Sequence, residues 1–331
     1  MARTLETTTA GCPARLMTRS AALEPVPTAV VAAGSPVALE SARRAATLGL
    51  IEPVLVGDPA AIADSARSIG WTLHGACVVP ARDDAAAARI AVALARSGDV
   101  GALMKGHIHT DTLMLAALDP KNGLRTGRRF THAFHMTLPE SGRELVITDA
   151  AINVAPSLNT RLDIIRNAVE LWRLVGGSDP RVALLSCTEE VTERVPSSMD
   201  ADRLTRLCQQ EVPGATVFGP LALDLAVSAE AARIKNLTHP CAGAADILVV
   251  PNIETGNALF KALVHFLDAV AAGIVLGAAV PIILTSRADP PAARIAAAAI
   301  AQIVAGRRSA TPGAPYPATA AKGGAAPGLH A

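Results

Sequence analysis

From Thr28 onward, short β-branched runs alternate with longer amphipathic stretches rich in alanine, and this alternation constrains the fold more than any other feature. The apolar runs predict strands over residues 29–33, 53–56, 100–104, 145–148, 182–185, 247–250 and 281–284. Between them, helical spacing covers 36–48, 85–96, 160–175, 200–210 and 255–271, with a further helix over 290–305. Repeated β-α-β order places the chain in the α/β class, with a mostly parallel sheet and helices on both faces. The longest apolar segment, 269–284, is interrupted by Gly273, Gly277 and Pro281; it reads as helix, turn and strand and is too broken to span a membrane.

With 331 residues the chain is long for one compact domain. Half the residues are hydrophobic but only 2% are aromatic, so the core must be built from Ala, Val, Leu and Ile. A net charge of +1, from 30 basic and 29 acidic residues, leaves no electrostatic footprint for nucleic acid or an anionic membrane, and any anion site must be local. Five scattered cysteines argue against a zinc site or a disulfide framework and fit a reducing, cytoplasmic setting. Residues 1–27 lack an apolar signal-peptide core and carry Glu6 and Glu24; they read as a flexible tail, with an organellar leader as the alternative. Residues 306–331, rich in Ala, Gly and Pro, read as a disordered tail. Gly34 lacks the companion glycines of a dinucleotide-binding turn, and no P-loop is present.

Several apolar strands end abruptly in polar residues, which is where open α/β sheets gather ligands. In Pro281-Ile-Ile-Leu-Thr-Ser-Arg-Ala-Asp-Pro290, the residues Ser286, Arg287 and Asp289 precede a helix and form either an anion site or a surface ion pair. In the segment 101–110, Lys105 ends a strand as a candidate phosphate ligand, Gly106 permits close approach, and Thr110 can cap the next helix. His107 and His109 have no partners at metal-ligand spacing, and no metal site is expected. Asp149 and Asn153 follow another strand, as ligand contacts or as turn chemistry. Glu254, Asn257 and Lys261 share one helix face, either presented to a cleft or simply solvated. Arg125, Arg128 and Arg129 form the only dense basic cluster and suit a polyphosphate.

These segments, together with Gly219-Pro-Leu-Ala-Leu-Asp224, occur in an order that resembles the phosphate acetyl/butyryltransferases, over roughly residues 28–305 and closest to the butyryltransferase branch. The resemblance implies reversible transfer of a short acyl group between coenzyme A and inorganic phosphate, giving acyl phosphate. Coenzyme A is then a substrate and no bound cofactor is needed. It also implies a fold similar to isocitrate and isopropylmalate dehydrogenases, with domain I (28–148 plus 273–305), domain II (149–272) and a cleft between them, in a homodimer or higher homo-oligomer. Ser286 and Arg287 match the family's pair that stabilises the transition state and holds phosphate. The acetyltransferase aspartate proposed as base aligns with Ala293, leaving Asp289 as candidate base. Lys105, Thr110, Arg128, Arg129, Asp149, Asn153, Glu254, Asn257 and Lys261 are the candidate phosphate and coenzyme A contacts. Two alternatives are a non-catalytic binder of coenzyme A or acyl phosphate and a metal- and NAD-dependent decarboxylating dehydrogenase. The second needs a tyrosine near the site, and the single Tyr316 lies in the tail.

Overall fold

The computed structural model describes residues 11–73, 75–285 and 289–309. The chain begins with α1 (Ala14–Ser20), β1 (Val26–Val31), α2 (Pro36–Thr47), β2 (Ile51–Gly57), α3 (Pro59–Ser68) and β3 (Cys77–Pro80). It continues through α4 (Asp84–Ser97), β4 (Ala102–Lys105), α5 (Thr110–Ala117), β5 (Thr131–Thr137) and β6 (Glu144–Thr148). Then come α6 (Leu158–Leu174), β7 (Arg181–Leu185), α7 (Pro196–Glu211), β8 (Thr216–Leu221), α8 (Leu223–Val227) and α9 (Ala229–Ile234). The last elements are β9 (Ile247–Val249), α10 (Ile253–Leu267), β10 (Val270–Leu276), β11 (Ile282–Ile283) and α11 (Pro291–Ser309).

All the strands join one sheet in the order β3-β2-β1-β4-β11-β10-β5-β6-β9-β7-β8. The flanks are parallel: β3, β2, β1, β4 and β11 on one side, and β6, β9, β7 and β8 on the other. Antiparallel pairings of β11 with β10, β10 with β5, and β5 with β6 join them. A mixed α/β fold with a large, mostly parallel sheet follows. The seven strands expected from the sequence are present, and β3, β5, β8 and β10 are additional.

One expectation is corrected at the centre. Helical spacing ran on to residue 271, yet α10 stops at Asp268, whose left-handed φ of 49° ends it, and Val270–Leu276 forms a strand. Alanine favours helix in isolation, but here both edges pair with β5 and β11, and that tertiary context overrides propensity. A second correction concerns the tail expected over 1–27. Its residues Ala14–Ser20 form α1, which buries Leu16 against α11, and β1 starts at Val26.

Apolar residues cover one sheet face continuously, from β2 through β10 to β7, beneath α1, α2, α6, α7 and α11. Between Ile295 and Ala305, α11 is buried almost all round, as expected of a helix enclosed between a sheet and other helices. The opposite face carries two separate clusters. One packs Ala29, Val31, Leu103 and Ile282 against α4 and α5. The other packs Met136, Leu145, Ile147 and Leu248 with α8 and the inner side of α10. In β10, Val275 belongs to the first cluster and Ala271 to the second, so Gly273 lies where they meet.

Candidate active site

A cavity of about 270 Å³ lies at the carboxyl ends of β4 and β11, beside the N-terminus of α2. Ser35, Ser41, Lys105, Thr285 and Arg294 supply its polar lining, and Pro36, Val37, Met104 and Ile283 its apolar wall. Local sequence builds each side. Ser35 caps α2 by accepting from the Ala38 N–H at 3.3 Å, and Pro36 begins the helix with φ already set. Gly106 is required: a Cβ there would lie 2.5 Å from the Val31 carbonyl oxygen, and the Gly106 and His107 N–H groups donate to Val31 and Ala32. Lys105 is thereby held against the end of β1.

Arg294, on the first turn of α11, donates to the Ser41 hydroxyl at 3.3 Å. Burial pulls its guanidinium below the usual arginine value; the Asp289 carboxylate opposes that shift and Arg44 adds to it. Lys105, Arg294 and the α2 N-terminus therefore converge on a half-enclosed space with the properties of an anion site. Ser286 and Arg287 lie outside the described residues, between Thr285 on the cavity wall and Asp289 beside Arg294.

The other expected contacts fall into groups. Thr110 is the first residue of α5; the cap position belongs to His109, which makes no side-chain cap bond, so the expected capping role of Thr110 is corrected. Asp149, only 2% exposed, uses both oxygens internally. Oδ1 accepts from the Ala151 and Ile152 N–H groups, each at 3.0 Å, and Oδ2 from the His132 N–H at 3.0 Å and Asn153 Nδ2 at 2.6 Å. Asn153 Nδ2 also donates to the Phe130 carbonyl at 2.9 Å. This pair holds the turn after β6.

That turn seats α10. A Cβ on Gly256 would come within 2.8 Å of Ala150 Cβ, so the helix packs directly on the residue after Asp149. Along α10, Glu254 and Lys261 are exposed and Asn257 half-buried, with no ion-pair partner among the described residues. Phe260 on the same helix stacks on Phe134 at 4.0 Å, and Phe134 meets the His132 ring edge-on at 4.4 Å.

The arginine cluster lies elsewhere. Arg128 donates to Asn167 Oδ1 at 3.3 Å and Glu170 Oε2 at 2.5 Å, in a second cavity of about 350 Å³ that includes Leu276 and Gly277. Arg129 is exposed, with its N–H bonded to Asp163. Leu276 ends the strand that runs antiparallel to β11, so Arg128 and Lys105 sit at opposite ends of the central strands. Among the described residues, no group of three or more His, Cys, Asp and Glu side chains is placed to hold a metal ion, and no helix is long and apolar enough to cross a membrane.

The cavity-lining residues unforeseen from sequence include Arg294 and Ser41. Arg294 had a readable signal, as the single cation inside the apolar run 291–306.

Comparison with known proteins places the chain in a family. The profile of the phosphate acetyl/butaryl transferase family matches residues 81–302. The chain belongs to this family. A phosphate acetyltransferase of Rhizobium meliloti is 44% identical over 89% of this chain and 94% of its own length. A phosphate butyryltransferase of Clostridium acetobutylicum is 37% identical over 84% and 92% respectively. The crystal structure of a branched-chain phosphotransacylase from Enterococcus faecalis V583 superposes with a TM-score of 0.74 at 34% identity, covering 84% of this chain and 99% of that one. The family's enzymes are acyltransferases, and both acyl branches are represented among these relatives.

Proposed function

We propose that the chain is a phosphate acyltransferase converting a short-chain acyl-CoA and inorganic phosphate to acyl phosphate and coenzyme A, reversibly and by direct attack with both substrates bound. The observation that carries this reading is the cationic cavity at the β4 and β11 ends, contiguous with the segment bearing Ser286 and Arg287 in a chain of this family. In the forward direction a phosphate oxygen attacks the thioester carbon, a C–O bond forms, the C–S bond breaks, and the phosphate's proton ends on the departing thiolate. In the reverse direction the thiolate attacks the acyl phosphate, and negative charge gathers on the carbonyl oxygen and the leaving phosphate. A hydroxyl from Ser286 and the guanidinium of Arg287 are suited to those two charges, with Lys105 and Arg294 fixing the phosphate. Asp289 is the proposed base for the thiol in the reverse direction. Asn257 and Lys261 are proposed coenzyme A contacts from the α10 face.

We propose two domains, 28–148 plus 273–305 and 149–272, in the manner of isocitrate and isopropylmalate dehydrogenases, with both substrates held in the cleft. A homodimer is supported by α10. Its inner side packs Leu259, Phe260 and Leu263 on the core, while Phe266, 84% exposed, and Leu267 are left uncovered by the described residues. Dispersed free cysteines support a cytoplasmic enzyme. No bound cofactor is required, since coenzyme A enters as substrate.

The test is phosphate-dependent release of free thiol from acetyl-, propionyl- and butyryl-CoA, compared between wild type, Arg287→Ala and Asp289→Asn. Phosphate-dependent turnover that collapses in Arg287→Ala supports the reading, and the acyl series names the substrate. Absence of such turnover with every acyl chain, alongside measurable coenzyme A binding, would instead favour a binding protein.

A further inference from the structure

In the reaction proposed above, phosphate and acyl group become one molecule joined through a bridging oxygen, so the acyl subsite must adjoin the phosphate subsite. The cavity that gathers Lys105 and Arg294 also has an apolar wall of Pro36, Val37, Met104 and Ile283. Met104 and Ile283 are paired across β4 and β11, so their side chains stand side by side on one sheet face, and each is at most 4% exposed. They form a fixed floor. Pro36 and Val37 come from the start of α2, which is only partly polar: Pro36 has no N–H, and the Ala38 N–H is already taken by Ser35. This helix start therefore adds a pyrrolidine ring and a branched side chain to the wall. Val37 is 47% exposed, so folding leaves much of its apolar surface uncovered.

The wall lies close to the cations. Ser41 accepts from Arg294 at 3.3 Å and donates to the Val37 carbonyl at 2.7 Å. Val37 thus stands about 6 Å along the α2 axis from the residue that holds Arg294, which is the scale of a short acyl chain. The volume of about 270 Å³ equals that of about nine liquid waters, more than a phosphate ion alone displaces. The second cavity is no substitute, since it lies at the other end of the central strands.

We propose, building on the acyltransferase reading, that this wall is the acyl subsite and that Val37 sets the length of chain it accepts. With the phosphoryl group on Lys105 and Arg294, the chain lies along Met104 and Ile283 and its terminal carbons reach Val37. The substrate class is an unbranched acyl-CoA from acetyl to butyryl, with propionyl- and butyryl-CoA used at least as well as acetyl-CoA, because each added methylene meets aliphatic carbon in place of water. Met104 and Ile283 are locked into the core, whereas Val37 is held by its helix alone and can change size without disturbing the sheet.

The experiment measures kcat/KM for acetyl-, propionyl-, butyryl- and valeryl-CoA at saturating phosphate in wild type, Val37→Phe and Val37→Ala. Phenylalanine fills the far end of the wall and should lower the butyryl-to-acetyl ratio by about 10–200-fold, the range for a methylene gained or lost in a hydrophobic pocket. Alanine opens that end and should raise the valeryl-to-butyryl ratio, by about ten-fold. The thermal midpoints of both variants should match wild type, since position 37 is half-exposed, and KM for phosphate should not follow the acyl ratios, since the cations are untouched. A loss of fold would lower all four activities together and leave their ratios alone. Wild-type ratios in both variants, or a wild type confined to acetyl-CoA, overturn this inference and leave the acyltransferase reading standing. A wild type without phosphate-dependent turnover on any of the four overturns the reading on which it rests.

Discussion

His135 points to the opposite sheet face from His132, and both rings are buried without a hydrogen-bond partner among the described residues. Burial lowers its pKa to about 4, with the Arg15 charge adding to the shift, so its 4.0 Å approach to Glu144 is not an ion pair at neutral pH. For both rings the unfolded chain takes up protons near pH 6.5 while the folded chain resists until about pH 4. Stability should therefore fall as pH drops through that window, by about 1.4 kcal/mol per pH unit for each ring. Urea midpoints between pH 7 and 4 measure this, and His135→Phe should flatten the slope. At the anion cavity, Arg294→Ala removes a charge-assisted contact and should lower kcat/KM for phosphate by about 10–100-fold. Arg294→Lys should recover only part of it, because a point charge replaces a planar fork. Initial rates against phosphate concentration decide both.

Among the elements, α11 is fastened by one side chain. Gln302 is fully buried, and its Nε2 lies 3.2, 3.0 and 3.1 Å from the carbonyl oxygens of Leu23, Glu24 and Gly49. Gln302→Ala removes these three contacts from a buried position, at a cost of about 2 kcal/mol, and should lower the thermal midpoint by roughly 4–8 °C. Elements of this kind differ in how legible they are from sequence. Strands β1, β2, β4, β6, β7, β9 and β11 could be read because each is an apolar run beside a recognisable helix. β5 could not, since Thr131-His-Ala-Phe-His-Met-Thr137 places two histidines where a core strand usually has aliphatics. β10 was hidden by alanine, and its strand identity comes from pairing on both edges, one of them with β5 more than a hundred residues away. For the site, the strand-end residues were visible as a pattern. The internal use of Asp149 and the pairing of Arg128 with Glu170 depend on long-range packing that no local spacing records.

Across the whole molecule, the uncovered apolar end of α10 makes a definite prediction about assembly. If the proposed homodimer forms through this surface, Phe266→Glu should lower the mass by light scattering from dimer to monomer, with the thermal midpoint of the monomer nearly unchanged because Phe266 touches little of its own core. A wild-type chain that is already monomeric overturns the proposed dimer, and a dimeric variant overturns this face as its interface. The order of the strands also bears on synthesis. β4 borders β11, and Leu103 pairs with Ile282, so the N-terminal flank has an open parallel edge until Ile282 has been made. At ribosomal rates of about 5–20 residues per second, that edge waits on the order of ten seconds or more. A nascent chain in this state offers a hydrogen-bonding template to any other strand nearby. The segment that closes the edge is followed directly by Ser286 and Arg287. Completion of the sheet and arrival of the proposed catalytic pair are therefore one event.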